Sequence, residues 1–395
     1  MKLVLVAVLV AIIAFVGSRV SFVRVRLPLG VENLFLTGTE FLLVGVLLGS
    51  GVFNILDDAT LAGLYPFLGL GLSWIGLLFG VQWEFRRLIR IPRESFGVAM
   101  VQALVTMAVV AIPSAVLFRW LFPGEGTMAI VAALTLGAAA SDTAQSSLAL
   151  VSRGARPEAR PLMRLLKNVS DMDGLVGVVA FGFAVCLAVP HGAGSGPLWV
   201  AVSIGLGIVG GLLLTALASY RLNPREMLLI VIGAIVFGGG LALYLSLSPL
   251  LINLIAGMVV ANLGRHRART GIRSVLMHGE HSIYILFLLL IGAGWAVDAL
   301  WIVAGVPAYF VVRTLGKLVG GFVSTRAFLP DALPFRRVGW GLISHGGMAV
   351  AIVINLQQIH RSGLTDAITS IVLLGILISE FISPTLTRRL LEREP

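Results

Sequence analysis

The sequence predicts an all-α polytopic membrane protein of about thirteen transmembrane helices, and three observations carry that reading. Of its 395 residues, 58% are apolar and only 12% are charged, roughly half the charged share of a soluble domain. Apolar stretches close to the ~20 residues that a spanning helix needs recur along the whole chain. Basic residues gather in alternate connections between them. So few charges exclude a soluble enzyme and a disordered chain, and 46 glycines without period exclude a collagen-like one. The formal charge of +10 reads as membrane topology, not as a nucleic-acid-binding surface. The single cysteine, Cys186, lies in an apolar run and can form no intramolecular disulfide.

The predicted spans are approximately 2–18, 34–53, 61–83, 96–120, 127–151, 163–189, 198–219, 226–247, 249–264, 281–297, 299–322, 338–358 and 366–387. The connections are short, so residues 1–395 read as one membrane domain without a soluble regulatory module. Counting charges tests this assignment. With the N-terminus outside, 23 of the 29 Lys and Arg residues fall on the inner side and three, Lys2, Arg119 and Arg361, on the outer. One span more or fewer would scramble that asymmetry, which therefore supports an outer N-terminus and a cytoplasmic C-terminus. The first segment also has features of a signal peptide. Cleavage, however, would leave Arg19, Arg24 and Arg26 on the outer face, against the charge rule.

The remaining basic residues, Lys167, Arg313 and Lys317, lie inside spans, as do Glu40, Asp142, Asp171, Asp173 and Glu380. An ionised group at mid-membrane costs roughly 2.5–3.5 kcal/mol on insertion scales and marks a functional site by default. Glu40 and Glu380 lie nearer span ends, where a structural or snorkelling role suffices. Lys167 and Asp171 are four apart and suit a local helical pair. Asp142 and Asp173 have no opposite charge within helical reach, so their partners come from other helices or from a bound cation.

Span five has a small, polar centre: Gly137, three alanines, Ser141, Asp142, Thr143, Gln145, Ser146 and Ser147. Span twelve has Ser344-His345-Gly346-Gly347. Two interruptible helices at matching places in two halves are the sequence pointer to a transporter midplane site. Spans 4–6 and 11–13 would be the equivalent trios of an inverted repeat. At such a crossing, half-helix ends of opposite polarity meet, and Asp142 and Arg313 are placed to neutralise them.

At these residues the chain resembles the monovalent cation/proton antiporter superfamily of sodium/proton and potassium-efflux exchangers. Leu77-Leu78-Phe79-Gly80-Val81-Gln82-Trp83-Glu84 looks like the close of that family's early core helix. Ser141-Asp142-Thr143 resembles its first crossing and Met172-Asp173-Gly174 its transport-aspartate position. Leu247-Ser248-Pro249-Leu250 through Asn262 is similar to a characteristic apolar helix. Arg313-Thr314-Leu315-Gly316 resembles its second-repeat basic motif, and Gly341 through Gly347 its second crossing. Thr143, Met172 and Asn168 depart from the pattern.

The resemblance implies the sodium/proton antiporter fold: inverted repeats, two crossed discontinuous helices, a core of about 61–190 and 281–395, and a dimerisation panel of about 1–53 and 198–264. It implies alternating-access exchange of sodium or potassium for protons. The ion and proton site is then Asp173, with Asp142, Ser141, Thr143 and Ser170, and with Asp171 as the alternative transport carboxylate. Arg313 and Lys317 are the charge-neutralising bases. A homodimer in a lipid bilayer is implied, without cofactor, in a bacterial inner membrane.

Three other readings compete. Met172 and Asn168 motivate a non-transporting sensor or scaffold of the same fold. A proton-coupled carrier of another solute would need more polar midplane residues than are present. A membrane enzyme has the least support, because no phosphate-binding loop or nucleophile elbow appears. His278-Gly279-Glu280-His281 offers two imidazoles but no third ligand, so it reads as interfacial, not as a metal site. His278, His281 and His345 are the pH-sensing candidates, since an unperturbed imidazole titrates near ~6.5.

Overall fold

A computed structural model describes residues 2–19, 29–152, 160–189, 195–220, 222–295, 300–329 and 337–393. Arg24, Arg26, Arg153, Arg156, Arg221 and Arg336 of the charge count lie outside these residues. The described residues are helical, in the order α1 (Lys2–Arg19), α2 (Leu29–Thr37), α3 (Glu40–Leu48), α4 (Asp58–Gln82), α5 (Phe85–Leu88), α6 (Arg93–Leu121), α7 (Thr127–Ser141), α8 (Gln145–Ser152) and α9 (Arg160–Ser170). Then follow α10 (Asp173–Ala188), α11 (Gly196–Ala218), α12 (Pro224–Tyr244), α13 (Pro249–Leu263), α14 (His266–Ala293), α15 (Leu300–Phe328), α16 (Val338–Gly341), α17 (Gly347–Ile359) and α18 (Gly363–Arg393). Nine stretches among the described residues are long and apolar enough to cross a membrane, and shorter apolar helices accompany them.

Local chemistry sets several starts. Asp57 caps α4 by accepting from the Thr60 amide at 3.0 Å. The Lys2 ammonium, hydrogen-bonded at 2.6 Å, holds the Asp57 carboxyl down at about 2. Asn223 and Glu226 form a capping box at α12. Ser248 accepts from the Leu251 amide at 3.0 Å ahead of Pro249, which is why the ninth span begins there.

The chain divides into two compact units. Unit 1 holds α1, α3 to α5 and α11 to α14; unit 2 holds α2, α6 to α10 as far as Ala184, and α15 to α18. These divisions differ from the ranges expected of core and panel. Residues 61–90 and 281–296 group with unit 1, and α2 groups with unit 2. Glycine contacts give the reason. A Cβ on Gly76, Gly80 or Gly257 would run into the opposing backbone where α4 crosses α13. Gly45 and Gly292 do the same for α3 and α14. Small residues thus let these backbones touch. In unit 2, Asn33 on α2 donates to the Glu380 carboxylate on α18 and, at 3.3 Å, to its backbone carbonyl. Glu380 is therefore buried, where an end position suggested a snorkelling side chain.

Span two, expected as one run, is broken between α2 and α3. Gly38 sits there at φ +76°, a left-handed conformation that only glycine adopts without cost.

Candidate functional site

The site lies within unit 2, where two helices are interrupted. α7 stops at Ser141, residues 142–144 run without helix, and α8 begins at Gln145. α16 stops at Gly341, and α17 begins at Gly347. A third break separates α9 from α10 at residues 171–172 and leaves Asp173 on the first turn of α10. Such breaks expose backbone carbonyls and amides that a buried setting must satisfy from elsewhere.

Side chains from other helices do so, with matched signs. Arg313 of α15 donates Nε to the Ala140 carbonyl at 3.1 Å and Nη2 to those of Asp142 and Ser344 at 2.8 and 3.0 Å; Nη1 takes the Ile343 carbonyl. One guanidinium therefore caps the carboxyl ends of α7 and of the stretch after α16. Lys317, one turn on, donates to the Ser141 carbonyl, to Thr143 Oγ1 at 2.8 Å and to Asp173 Oδ2 at 3.1 Å. The acids take the amino ends. Asp142 Oδ2 accepts from the Ala349 amide of α17 at 3.0 Å. Asp173 accepts from the Thr143 amide at 3.2 Å and from the Thr143 hydroxyl. Bases on carboxyl ends and acids on amino ends is the arrangement helix dipoles favour.

All four charged groups are buried: Asp173 and Lys317 at 0% exposure, Arg313 at 1% and Asp142 at 4%. Gly346 has no room for a side chain, because a Cβ there would strike the Asp142 carboxylate. The Lys317–Asp173 pair is the one salt bridge among the described residues with both partners fully buried.

The other expected site residues fall as follows. Thr143 is central, through its amide and its hydroxyl. Ser141 supplies a carbonyl to Lys317, while its hydroxyl donates to Ala138 at 2.7 Å. Ser170 turns its hydroxyl to the Lys167 carbonyl at 3.0 Å and so caps its own helix. Asp171 is half-buried and joins none of the described side-chain contacts of the crossing. His345 donates Nε2 to the Ala139 carbonyl at 3.0 Å, and its buried Nδ1 has no partner among the described residues. Through that bond His345 caps the end of α7. His278 and His281 are exposed on α14 in unit 1. Among the described residues no His, Cys, Asp and Glu side chains group to hold a metal.

Two features escaped the sequence reading. Lys317 is the direct partner of Asp173, not only a second neutralising base. Tyr309, unremarked, is buried with its hydroxyl 3.3 Å from His345 Nε2. The signal was present: Tyr309, Arg313 and Lys317 are spaced by four and share one face of α15.

A family model described as "Sodium/hydrogen exchanger, transmembrane" matches residues 4–393. No curated protein sequence matches the chain. Among solved structures, the sodium proton antiporter MjNhaP1 from Methanocaldococcus jannaschii at pH 8 superposes with a TM-score of 0.69. Its identity is 16%, over 100% of this chain and 99% of that one. At that identity the likeness concerns the fold.

Proposed function

Because the chain belongs to the sodium/hydrogen exchanger family and is a cation/proton antiporter of the membrane, we propose that its exchange takes place at the Asp173–Lys317 pair. The observation that carries this reading is the fully buried salt bridge at the crossing. A bare carboxylate is costly away from water, so Asp173 must be matched by a positive charge in every state that crosses the barrier. Lys317 supplies it in the state seen here. An arriving sodium or potassium ion supplies it in the other.

Two positive charges against one buried carboxylate are unfavourable, so the cation displaces the ammonium and Lys317 gives up a proton. Lysine can do this; Arg313 cannot, since a guanidinium stays charged in proteins. Arg313 and Asp142 thus hold the half-helix ends while Asp173 and Lys317 exchange charge. The oxygen donors near the cation position are the Asp173 carboxylate, the Thr143 hydroxyl and the Ser141 carbonyl. Oxygen donors suit hard cations. Met172 and Asn168, the departures that motivated a non-transporting scaffold, are not among the groups holding Asp173.

The same bookkeeping gives a stoichiometry. Carboxylate plus ammonium, and carboxylate plus alkali cation plus neutral lysine, have equal net charge, so one cation exchanges for one proton. In proteoliposomes with the potential clamped by potassium and valinomycin, initial sodium-driven proton flux is expected to be the same at either sign of potential. A rate that follows the potential would show a second proton and overturn the one-for-one assignment. A homodimer joined through unit 1 is part of the proposal. It is supported by α11 and α12, which bury the smallest share of their side chains among the nine long apolar stretches. An outer N-terminus and a bacterial inner membrane complete it, the orientation resting on the charge asymmetry.

A further inference from the structure

The arginines at one end of unit 1 form a single patch held together by specific contacts. The segment closing α4 carries Glu84, Phe85, Arg86, Arg87, Leu88, Ile89 and Arg90; the segment opening α14 carries Arg265, Arg267, Arg269 and Arg273. Asn262, on the last turn of α13 just ahead of the second segment, holds the first, accepting from the Phe85 amide at 2.7 Å and donating to the Trp83 and Met258 carbonyls at 2.8 Å each. Glu84 is consumed internally, bridged by Arg269 at 2.7 Å and Arg87 at 3.3 Å. Arg86, Arg90, Arg265 and Arg267 are exposed and pair with no carboxylate among the described residues.

Apolar side chains stand between these arginines. Ile89 is 83% exposed, Leu263 65% and Phe85 53%. Insertion topology accounts for the arginines. It does not account for Phe85 and Ile89 bared on the first segment and Leu263 bared at the end of α13, two residues before the second. Guanidinium groups interleaved with bared apolar side chains match the boundary between lipid headgroups and acyl chains.

We propose that this patch is a binding site for anionic phospholipid of the adjoining leaflet. Arg86, Arg90, Arg265 and Arg267 hold the phosphates through charge-assisted hydrogen bonds. Phe85, Ile89 and Leu263 insert beside the acyl chains. The site lies within unit 1 and involves none of the groups assigned to exchange.

The test uses the full chain purified in detergent and titrated with phosphatidylglycerol or phosphatidylcholine, read by tryptophan-fluorescence melting and by lipid adducts in native mass spectrometry. Phosphatidylglycerol is expected to raise the melting midpoint and to remain bound; phosphatidylcholine is not. Each arginine near an anionic surface counts for about fivefold in affinity. Arg86→Gln, Arg90→Gln and Arg267→Gln together should therefore weaken phosphatidylglycerol binding by at least about tenfold. The matched control, Arg326→Gln, Arg337→Gln and Arg389→Gln, removes three exposed arginines of unit 2 and should leave binding unchanged. Phe85→Ser with Ile89→Ser should weaken binding with no change of charge.

Equal loss in the patch and control variants would show general charge attraction and overturn the site. So would equal binding of the two lipids, which would leave the bared side chains to a protein partner. Binding is read without transport, so failure here leaves exchange at Asp173 untouched, and the converse holds too.

Discussion

Asp173→Asn is expected to abolish cation/proton exchange while the protein still assembles. The amide matches the carboxylate in shape and can still accept from the Thr143 amide, which lies 3.2 Å from Asp173 Oδ1. It carries no charge, so neither an alkali cation nor the Lys317 ammonium has a counter-charge to compete for. Removing one member of a buried pair costs roughly 3–5 kcal/mol when the other charge is stranded. Lysine escapes most of that by losing its proton, and it keeps the Ser141 carbonyl and Thr143 hydroxyl as partners. Function should therefore fall much further than stability, by on the order of a hundredfold or more, as expected when a buried charge pair is broken. Proteoliposomes with an internal pH dye, challenged in turn with sodium, lithium and potassium, check this. Dequenching as fast as in the wild type with any of the three would remove Asp173 from the mechanism.

Arg313→Gln is expected to damage the fold itself. Four buried carbonyls, those of Ala140, Asp142, Ile343 and Ser344, depend on this guanidinium. A glutamine carries two donor hydrogens on one nitrogen and cannot span both interrupted helices. Each buried acceptor left unsatisfied costs about 1–3 kcal/mol, so two or more orphaned carbonyls amount to roughly 3–5 kcal/mol. Arg313→Lys keeps the charge but loses the planar fork and should fall between wild type and Arg313→Gln. Thermal melts in detergent read the order directly: wild type, then Arg313→Lys, then Arg313→Gln. Coincident midpoints would mean that the crossing is held by something other than this residue.

Much of this site is legible in the chain because charge in lipid is costly enough to be rare. Asp142, Asp173 and Arg313 stand out against long apolar runs, and the small polar centres at 137–147 and 344–347 locate both breaks. Less visible is which group pairs with which. Lys317 and Arg313 are equivalent bases on a sequence, and only the geometry sends the fork to four carbonyls and the ammonium to Asp173. Asp171 and Asp173 are likewise indistinguishable by composition. The break at 171–172 puts Asp173 at the head of α10, in reach of Thr143 and Lys317, and leaves Asp171 half-buried beyond the described side-chain contacts of the crossing; our proposal of Asp173 rests on that placement. Hydropathy also misjudges packing partners. It records that α4 and α14 are apolar but not that glycines at 45, 76, 80, 257 and 292 bring their backbones against other helices of unit 1. Gly38, which breaks span two, has no hydropathy signal at all.

The central claim is that a cation and a proton compete at the Asp173–Lys317 pair, and proton release on cation binding measures this without transport. In weakly buffered detergent solution, saturating the protein with its transported alkali cation should release about one proton per chain. Asp173→Asn should release none under the same conditions. Undiminished release from Asp173→Asn, or no release from the wild type with sodium, lithium or potassium, would contradict the account.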